Sequence, residues 1–297
     1  MKPILRRLLI VLTLMLICVV AFQPLHAQED AEDGTIRFAV IGDYGLAGKN
    51  SKSVSDMVHS WDVDFIITVG DNNYNVGSAD TIDENIGQYY HDFIAPYPGA
   101  YGAGAEINRF FPTLGNHDWQ TDDAQPYLDY FTLPGNERYY DFIAGPIHFF
   151  ALDNNYAEPD GFRRISIQAE WLQTQLSAST TPWKLAYMHV PPYSSGHQGS
   201  SPAMQWPFAT WGVDAVLSGH DHDYERLMVD GSPYFVNGVG GGAIYAFETP
   251  IPESQFRYNK TYGAMLVTAD ETQITFEFYS VFEGGTLIDS YVLNASD

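Results

Sequence analysis

Seven side chains that commonly bind metals follow five apolar segments of the sequence. Each segment has the composition of a buried strand, and the residues that follow it are Asp43, Asp71, Tyr74, Asn116, His189, His220 and His222. After the segment at 215–217, His220 and His222 are two residues apart, so both can point the same way in an extended or looped backbone. A mononuclear site needs only three or four protein ligands, so seven suggest two metals that share a bridge. Asp71, central in the sequence of ligands, is the candidate bridge.

An isolated His-x-His pair has a simpler interpretation, which is two surface histidines near a turn. Short motifs of this kind occur often by chance. The other strand ends argue for the metal site, because a polar cluster recurs at 42–45, 70–74 and 115–118. The recurrence therefore favours chemistry over a plain surface turn.

The N-terminal residues have the pattern of a signal peptide. Three basic residues, Lys2, Arg6 and Arg7, precede an apolar run at 8–22, and a small residue stands at Ala27. The run is short for a bilayer span, which takes about 20 residues. We expect a signal peptide at 1–27, a single domain at 28–297, secretion or periplasmic location, and no stable membrane anchor after cleavage. A retained anchor is the alternative.

Cleavage would change both the redox chemistry and the charge of the chain. The only cysteine, Cys18, lies in the predicted signal peptide, so the mature chain would have no disulfide and no thiolate metal ligand. The remaining 37 acidic and 11 basic side chains give a net charge of −26. This charge argues against a nucleic-acid-binding surface, which needs a basic face. An anionic substrate would need local positive charge, and bound metal ions are the obvious source.

The elements that must position the ligands alternate along the chain. Strand patterns at 35–41, 65–69 and 110–114 are separated by helical patterns at 49–61 and 82–94. A hairpin at 139–142 and 147–153, a helix at 167–176, a strand at 183–188 and a short helix at 204–211 follow. Beyond residue 226 all the patterns are of strands, at 227–229, 234–237, 262–268, 273–279 and 286–293. In α/β proteins, sites lie at the carboxyl ends of such strands.

Four motifs resemble those of the calcineurin-like metallophosphoesterases. They are Gly-Asp-x-Gly at 42–45, Gly-Asp-x-x-Tyr at 70–74, Gly-Asn-His-Asp at 115–118 and Gly-His-x-His at 219–222. The motif at 70–74, with its tyrosine, resembles the corresponding motif of the purple acid phosphatases. The resemblance implies an α/β fold, namely an α/β/β/α sandwich of two mixed sheets flanked by helices. It also implies an exported phosphatase that acts on small phosphorylated substrates.

The resemblance also implies how the two metals are held. Fe(III) would bind to Asp43, Asp71, Tyr74 and His222, while Zn, Fe or Mn(II) would bind to Asp71, Asn116, His189 and His220. Phosphate monoesters would be hydrolysed by attack of a metal-bound hydroxide. Two alternatives remain open: a phosphodiesterase or nucleotide phosphohydrolase that uses the same site, and a non-catalytic phosphate-binding surface protein.

The leaving alcohol needs a proton or a positive partner, and two histidines are candidates for this role. His117 stands beside Asn116, and His197 lies in a polar loop at 194–201. In hydrolases, histidine often serves as the proton donor to the leaving group. Asp118 follows His117 and Asp223 follows His222, and both are expected to hold histidine tautomers or to face solvent.

Overall fold

The computed structural model describes residues 34–295, and the predicted signal peptide lies outside this range. The strands are β1 Ile36–Ile41, β2 Phe65–Thr68, β3 Phe110–Pro112, β4 Tyr140–Ala144, β5 Ile147–Ala151, β6 Trp183–Tyr187, β7 Ala215–Ser218, β8 Tyr224–Val229, β9 Ser232–Asn237, β10 Ser254–Tyr258, β11 Gly263–Ala269, β12 Gln273–Ser280 and β13 Thr286–Asn294. Most match the predicted segments, but β10 was not predicted. Its exposed residues alternate with half-buried ones, so it lacks an apolar run.

The strands form two mixed sheets. One sheet has the order β13-β12-β11-β1-β2-β3, and the other has the order β10-β8-β9-β7-β6-β5-β4. In the first sheet β1, β2 and β3 are parallel, and in the second β5, β6, β7 and β9 are parallel. Parallel strands need crossover connections, which the helices supply.

The core lies between the two sheets and is rich in aromatic rings. Phe38 of β1 packs edge-on against Phe149 of β5 at 5.1 Å between ring centroids, and Phe235 of β9 stacks on Phe276 of β12 at 4.6 Å. All four are at most 1% exposed. Burying one such side chain contributes roughly 1.5–3 kcal/mol. The predicted sandwich of two mixed sheets flanked by helices is confirmed.

Six α-helical segments cover the sheets: α1 Lys49–His59, α2 Ala79–Ile82, α3 Gln88–Tyr90, α4 Gln125–Tyr130, α5 Ile167–Ala178 and α6 Phe208–Trp211. In α1 the buried apolar residues Val54, Met57 and Val58 are three and four positions apart, as one helix face requires. Ser166 caps α5, because its hydroxyl accepts a hydrogen bond from the N–H of Ala169 at 3.1 Å. Within residues 34–295, no helix is long and apolar enough to cross a membrane.

Two helix predictions were wrong in detail. The helix expected at 82–94 is broken by a π-helical turn, Asp83–Gly87. The carboxylate of Asp83 accepts hydrogen bonds from Tyr130 and from the N–H of Ala100, so tertiary contacts set its position. The helix expected at 204–211 is limited to α6, because Pro207 lacks the N–H that a continuous helix would use.

The carboxyl ends of β1, β2, β3, β6 and β7 meet at one edge of the sandwich. The N–H of Asp43 donates to the carbonyl of Gly70 at 3.0 Å, and the N–H of Gly219 donates to the carbonyl of His189 at 2.9 Å. Between the sheets, the N–H of His220 donates to the carboxylate of Asp43 at 2.9 Å. The five strand ends singled out in the sequence therefore form one continuous site.

Candidate metal centre

Three of the seven predicted ligands have left-handed backbone conformations. The φ angles are 54° at Asp43, 52° at Asp71 and 69° at His220. Non-glycine residues occupy this region rarely, at a cost of about 1–3 kcal/mol, and such residues cluster at functional sites. The conformation turns the chain sharply at the strand end. The side chains of Asp43 and Asp71 reach the hydroxyl of Tyr74, and that of His220 reaches His189.

Glycine is needed where two of the loops touch. A Cβ at Gly115 would lie 2.2 Å from both the backbone nitrogen and Oδ1 of Asp71. Real Cβ atoms do not come this close to other atoms, so only glycine leaves room for the carboxylate. The close approach lets the N–H of His117 donate to the same Oδ1 at 2.9 Å.

Asp43, Asp71, Tyr74 and His222 form a first group of ligand atoms. The hydroxyl of Tyr74 lies 2.9 Å from Oδ2 of Asp71, 3.2 Å from Oδ1 of Asp43 and 3.0 Å from Nε2 of His222. The same Nε2 is 3.2 Å from Oδ1 of Asp43. All four side chains are buried. Two carboxylates, a phenol and an imidazole thus converge on one point, a donor set that fits a hard cation.

Asn116, His189 and His220 form a second group beside the first. Nε2 of His189 lies 3.0 Å from Oδ1 of Asn116, 3.1 Å from Nδ1 of His220 and 3.4 Å from Oδ1 of Asp71. Asp71 therefore presents one oxygen to each group. The structure brings all seven predicted ligands together, in two groups that share Asp71.

Backbone carbonyls orient two of the imidazoles. Nδ1 of His189 donates to the carbonyl of Val69 at 2.8 Å, and Nδ1 of His222 donates to the carbonyl of Ala243 at 2.5 Å. In the neutral ring the proton is held on Nδ1, so that Nε2 of each ring can offer its lone pair to the cluster. This is the usual arrangement of metal-ligating histidines.

The pKa values at the cluster reflect two buried carboxylates. Burial and the charges of Asp43 and Asp71 raise the pKa of Tyr74 far above its usual value. Burial acts to lower the pKa of His189, but the charge of Asp71 outweighs it and raises that pKa to about 10. Burial and His189 lower the pKa of His220 to about 4. A bound cation would replace the His189 proton as the partner of Asp71 and would favour the phenolate of Tyr74.

Asp118 does not hold a histidine tautomer, and that prediction was wrong. Its buried carboxylate accepts hydrogen bonds from the N–H of Gly115 at 2.8 Å, of Asn73 at 3.1 Å and of Asn72 at 3.2 Å. It therefore ties the loop after β3 to the loop after β2. Burial, together with the charge of Asp71, raises the pKa of Asp118 to about 7.

Asp223 neither faces solvent nor holds a histidine. It is fully buried, and neither of its carboxylate oxygens has a hydrogen-bond partner among residues 34–295. Burial, reinforced by the charge of Asp221, raises the pKa of Asp223 to about 9. A carboxyl with this pKa is neutral at pH 7, which is how a buried side chain avoids an unpaired charge.

The two predicted proton donors differ in their distance from the cluster. Nε2 of His117 lies 3.9 Å from Oδ2 of Asp71, and the ring is 4.6 Å from that of Tyr74 between centroids. His197 is farther out, on the exposed surface, where Nδ1 lies 2.7 Å from a carboxylate oxygen of Glu248. The structure brings His117 to the cluster but does not bring His197 into contact with it.

One residue at the site was missed in the sequence. The ring of Tyr245 stacks on His222 at 4.2 Å with 3° between the ring planes, and it also contacts His197 edge-on at 5.7 Å. Its N–H donates to the carbonyl of His222 at 2.9 Å. Tyr245 follows the glycines at 238–242, which are the only sequence signal that a loop closes over the site.

Comparisons with known proteins identify the family of the chain. The sequence model of the calcineurin-like phosphoesterase family matches residues 36–224. Purple acid phosphatase 3 of Arabidopsis thaliana is 24% identical over 86% of this chain and 77% of its own length. Purple acid phosphatase 15 of the same plant is 30% identical over 69% of this chain and 45% of its own length.

Solved structures show the same fold. The yellow lupin purple acid phosphatase PPD1 has a TM-score of 0.70 at 18% identity, covering 88% of this chain and 54% of the lupin chain. GAP50, described as the anchor in the inner membrane complex of Plasmodium, has a TM-score of 0.70 at 20% identity and covers 89% of this chain and 90% of its own. The chain therefore belongs to the calcineurin-like phosphoesterase family and is similar in sequence to the purple acid phosphatases.

Proposed function

We propose that this protein is an exported, dinuclear, metal-dependent phosphatase that hydrolyses phosphate monoesters. The observation that carries the proposal is the convergence of seven donor side chains in two groups that share Asp71. Similarity to purple acid phosphatases supports the same activity. Export rests on the N-terminal pattern, and N-terminal sequencing of the secreted protein should find a start near residue 28.

The first group is the proposed Fe(III) site, and the second, with Asp71, is the proposed Zn, Fe or Mn(II) site. Their donor sets differ in charge: Asp43, Asp71 and Tyr74 are anionic when bound, whereas the second group adds an amide and two imidazoles. Two cations held there would acidify a water and neutralise charge that develops on the phosphate. Within residues 34–295, no Lys or Arg side chain forms a hydrogen bond or ion pair with the seven ligands, so such neutralisation has no other strong source nearby.

The residues of the chain would orient the ester and move protons. Nδ1 of His117 donates to the carbonyl of Asn75, which fixes the ring, and Nε2 faces the cluster from a partly exposed position. This geometry suits proton delivery to the leaving oxygen. General acid catalysis of this kind typically raises the reaction rate 10²–10⁴-fold. His197 would act from the outer rim, beside Tyr245, on the alcohol portion of the substrate.

Metal content measured together with the visible spectrum tests the centre. We expect two metals per chain and a tyrosinate-to-iron charge-transfer band that Tyr74→Phe abolishes, while Tyr89→Phe, at a half-buried tyrosine hydrogen-bonded to Gly48, leaves it unchanged. Stoichiometric iron without the band would refute the ferric assignment. Other metals without the band would refute iron but would leave the phosphatase proposal standing.

Two competing functions make different predictions. A phosphodiesterase or nucleotide phosphohydrolase would hydrolyse a diester or nucleotide much faster than every monoester in a panel. The second is a non-catalytic role, for which we note that GAP50, which shares the fold, is described as the anchor in the inner membrane complex of Plasmodium. Metal-loaded protein that hydrolyses no ester would favour that role, but the complete set of seven donors favours an enzyme.

A further inference from the structure

The most exposed large apolar side chains of residues 34–295 lie close together in the sequence. Ile165 is 92% exposed, Tyr156 86% and Ile167 62%. The same segment contains Arg163 and Arg164, which are both exposed. We call these five side chains the basic-apolar patch. Exposed apolar side chains grouped in this way mark interaction sites more often than isolated ones do.

The two arginines of the patch are not used by the fold. Neither arginine side chain forms an ion pair or a hydrogen bond within the described part of the chain, and the Arg163 guanidinium lies over the ring of Phe162 at 5.7 Å. Other arginines are engaged: Arg138 pairs with Glu158 at 2.9 Å, and Arg226 with Asp289 at 2.7 Å. The chain has a net charge of −23, so two adjacent arginine side chains without an ion-pair partner give this segment a local positive charge.

The loop that carries the patch has a well-bonded base. The buried side chain of Gln168 donates to the carbonyls of Asp153 at 2.8 Å and Gly161 at 3.1 Å, and it accepts from the N–H of Asp153 at 2.9 Å. The N–H of Ile167 donates to the carbonyl of Asp160 at 3.1 Å. The exposed tip is therefore held in one place, which lowers the entropy cost of binding a partner.

The loop begins beside the candidate metal centre. Asn154, just after β5, exchanges two hydrogen bonds with Val190, at 2.6 and 3.0 Å, and Val190 directly follows the ligand His189. On the other side, the indole N–H of Trp119 donates to Asp153 at 3.0 Å. The loop that carries the patch thus starts at the same edge of the sandwich as the seven ligands.

We propose that the basic-apolar patch binds an acidic polypeptide segment and so selects phosphorylated polypeptides as substrates of the adjacent centre. The inference rests on the proposed phosphatase function. Guanidinium groups pair with carboxylates in a bidentate way, and the exposed isoleucine and tyrosine suit the apolar side chains that a peptide also carries. A flat anionic membrane fits less well, because it would bring many acidic residues of this chain within the screening length of about 8 Å.

Kinetics on three substrates test the proposal. They are a phosphopeptide with flanking aspartates and an isoleucine, the same phosphopeptide with glycine and serine flanks, and p-nitrophenyl phosphate. In R163Q/R164Q we expect kcat/KM on the acidic peptide to fall about tenfold through KM, equivalent to about 1.4 kcal/mol. The rate on p-nitrophenyl phosphate should stay within twofold. Added salt should remove the preference of the wild type for the acidic peptide.

The control is K49Q/K52Q, which makes the same charge change on exposed positions of α1. An equal loss in the control would overturn the proposal, because general electrostatics would then explain the effect. The proposal would also be overturned if R163Q/R164Q lost binding to phosphatidylserine vesicles, or changed the oligomeric state, without a change in peptide kinetics.

Peptide binding separates this proposal from the proposed function. Fluorescence anisotropy with the unphosphorylated acidic peptide requires no hydrolysis, so it can be measured whether or not the protein is a phosphatase. Binding that I165S and R163Q/R164Q each weaken would support the patch even if no ester were hydrolysed. Ester hydrolysis without any peptide binding would refute the patch and leave the phosphatase proposal intact.

Discussion

Replacing Gly70 by alanine should disrupt the candidate centre through a steric clash with His189. Gly70 has φ of 88°, and a Cβ there would lie 2.6 Å from Nδ1 and 2.7 Å from Cγ of the His189 ring. That ring is fully buried and bonded through Nδ1 to the carbonyl of Val69, so it has no free space to move into. Alanine at this position must displace a proposed metal ligand.

The expected loss of folding free energy has two parts, and a substitution at a second glycine separates them. A non-glycine residue at positive φ costs about 1–2 kcal/mol, and overpacking in a buried site adds about 1–3 kcal/mol. Gly212, after α6, has a similar φ of 95° but nothing within 4 Å of a Cβ. Gly212→Ala therefore measures the backbone part alone. We expect a loss of about 2–5 kcal/mol for Gly70→Ala and about 1–2 kcal/mol for Gly212→Ala.

Urea unfolding of the metal-free proteins measures these free energies, and titration with Zn or Mn measures the centre. Because His189 is displaced, Gly70→Ala should bind the divalent metal about 10–100-fold more weakly, whereas Gly212→Ala should bind it as the wild type does. If the two variants lose the same stability and bind metal equally well, the steric argument for Gly70 is refuted.

The proximity of the seven candidate ligands could be predicted from the sequence, because strand ends are visible as the point where an apolar run stops. Parallel strands meet at one edge, so Asp43, Asp71 and Asn116 had to lie near one another once the run pattern was recognised. The pairing of His220 and His222 with different groups was implied by family resemblance. The structure adds that Nε2 of His222 faces Asp43, whereas Nδ1 of His220 faces His189.

Other features depend on long-range contacts that leave no local pattern. Tyr245 stacks on a ligand that lies in a different loop, and its sequence neighbours do not predict this. Asp118 follows His117 in the sequence, which suggested a role toward histidine. Its carboxylate instead accepts from the backbone N–H groups of Asn72 and Asn73, more than 40 residues earlier, and of Gly115 in its own loop. The left-handed conformations of Asp43 and Asp71 are equally invisible, since only glycine signals positive φ reliably.

Two further predictions concern aromatic stacking and pH. Tyr245→Leu removes the ring stacked on His222 and should weaken binding of the first metal several-fold by calorimetry, while Tyr245→Phe should not; equal affinities would show that the stacking has no orienting role. At the surface, a hydrogen bond from His59 to Asp92 raises the pKa of the histidine. Burial acts to raise the pKa of Asp92, but the same hydrogen bond outweighs burial and lowers that pKa. The stability that His59 contributes is complete below its unfolded pKa of about 6.5 and is lost as pH rises through its raised folded-state pKa. The stability that Asp92 contributes is complete above its unfolded pKa of about 3.9 and is lost as pH falls through its lowered folded-state pKa. Asp92→Asn should therefore lower Tm most near pH 5 and least above about pH 8. Asp129→Asn, at an exposed carboxylate that accepts a hydrogen bond from the neutral amide of Gln125, should change Tm equally at both pH values, and the same flat profile for Asp92→Asn would contradict the assigned role of His59.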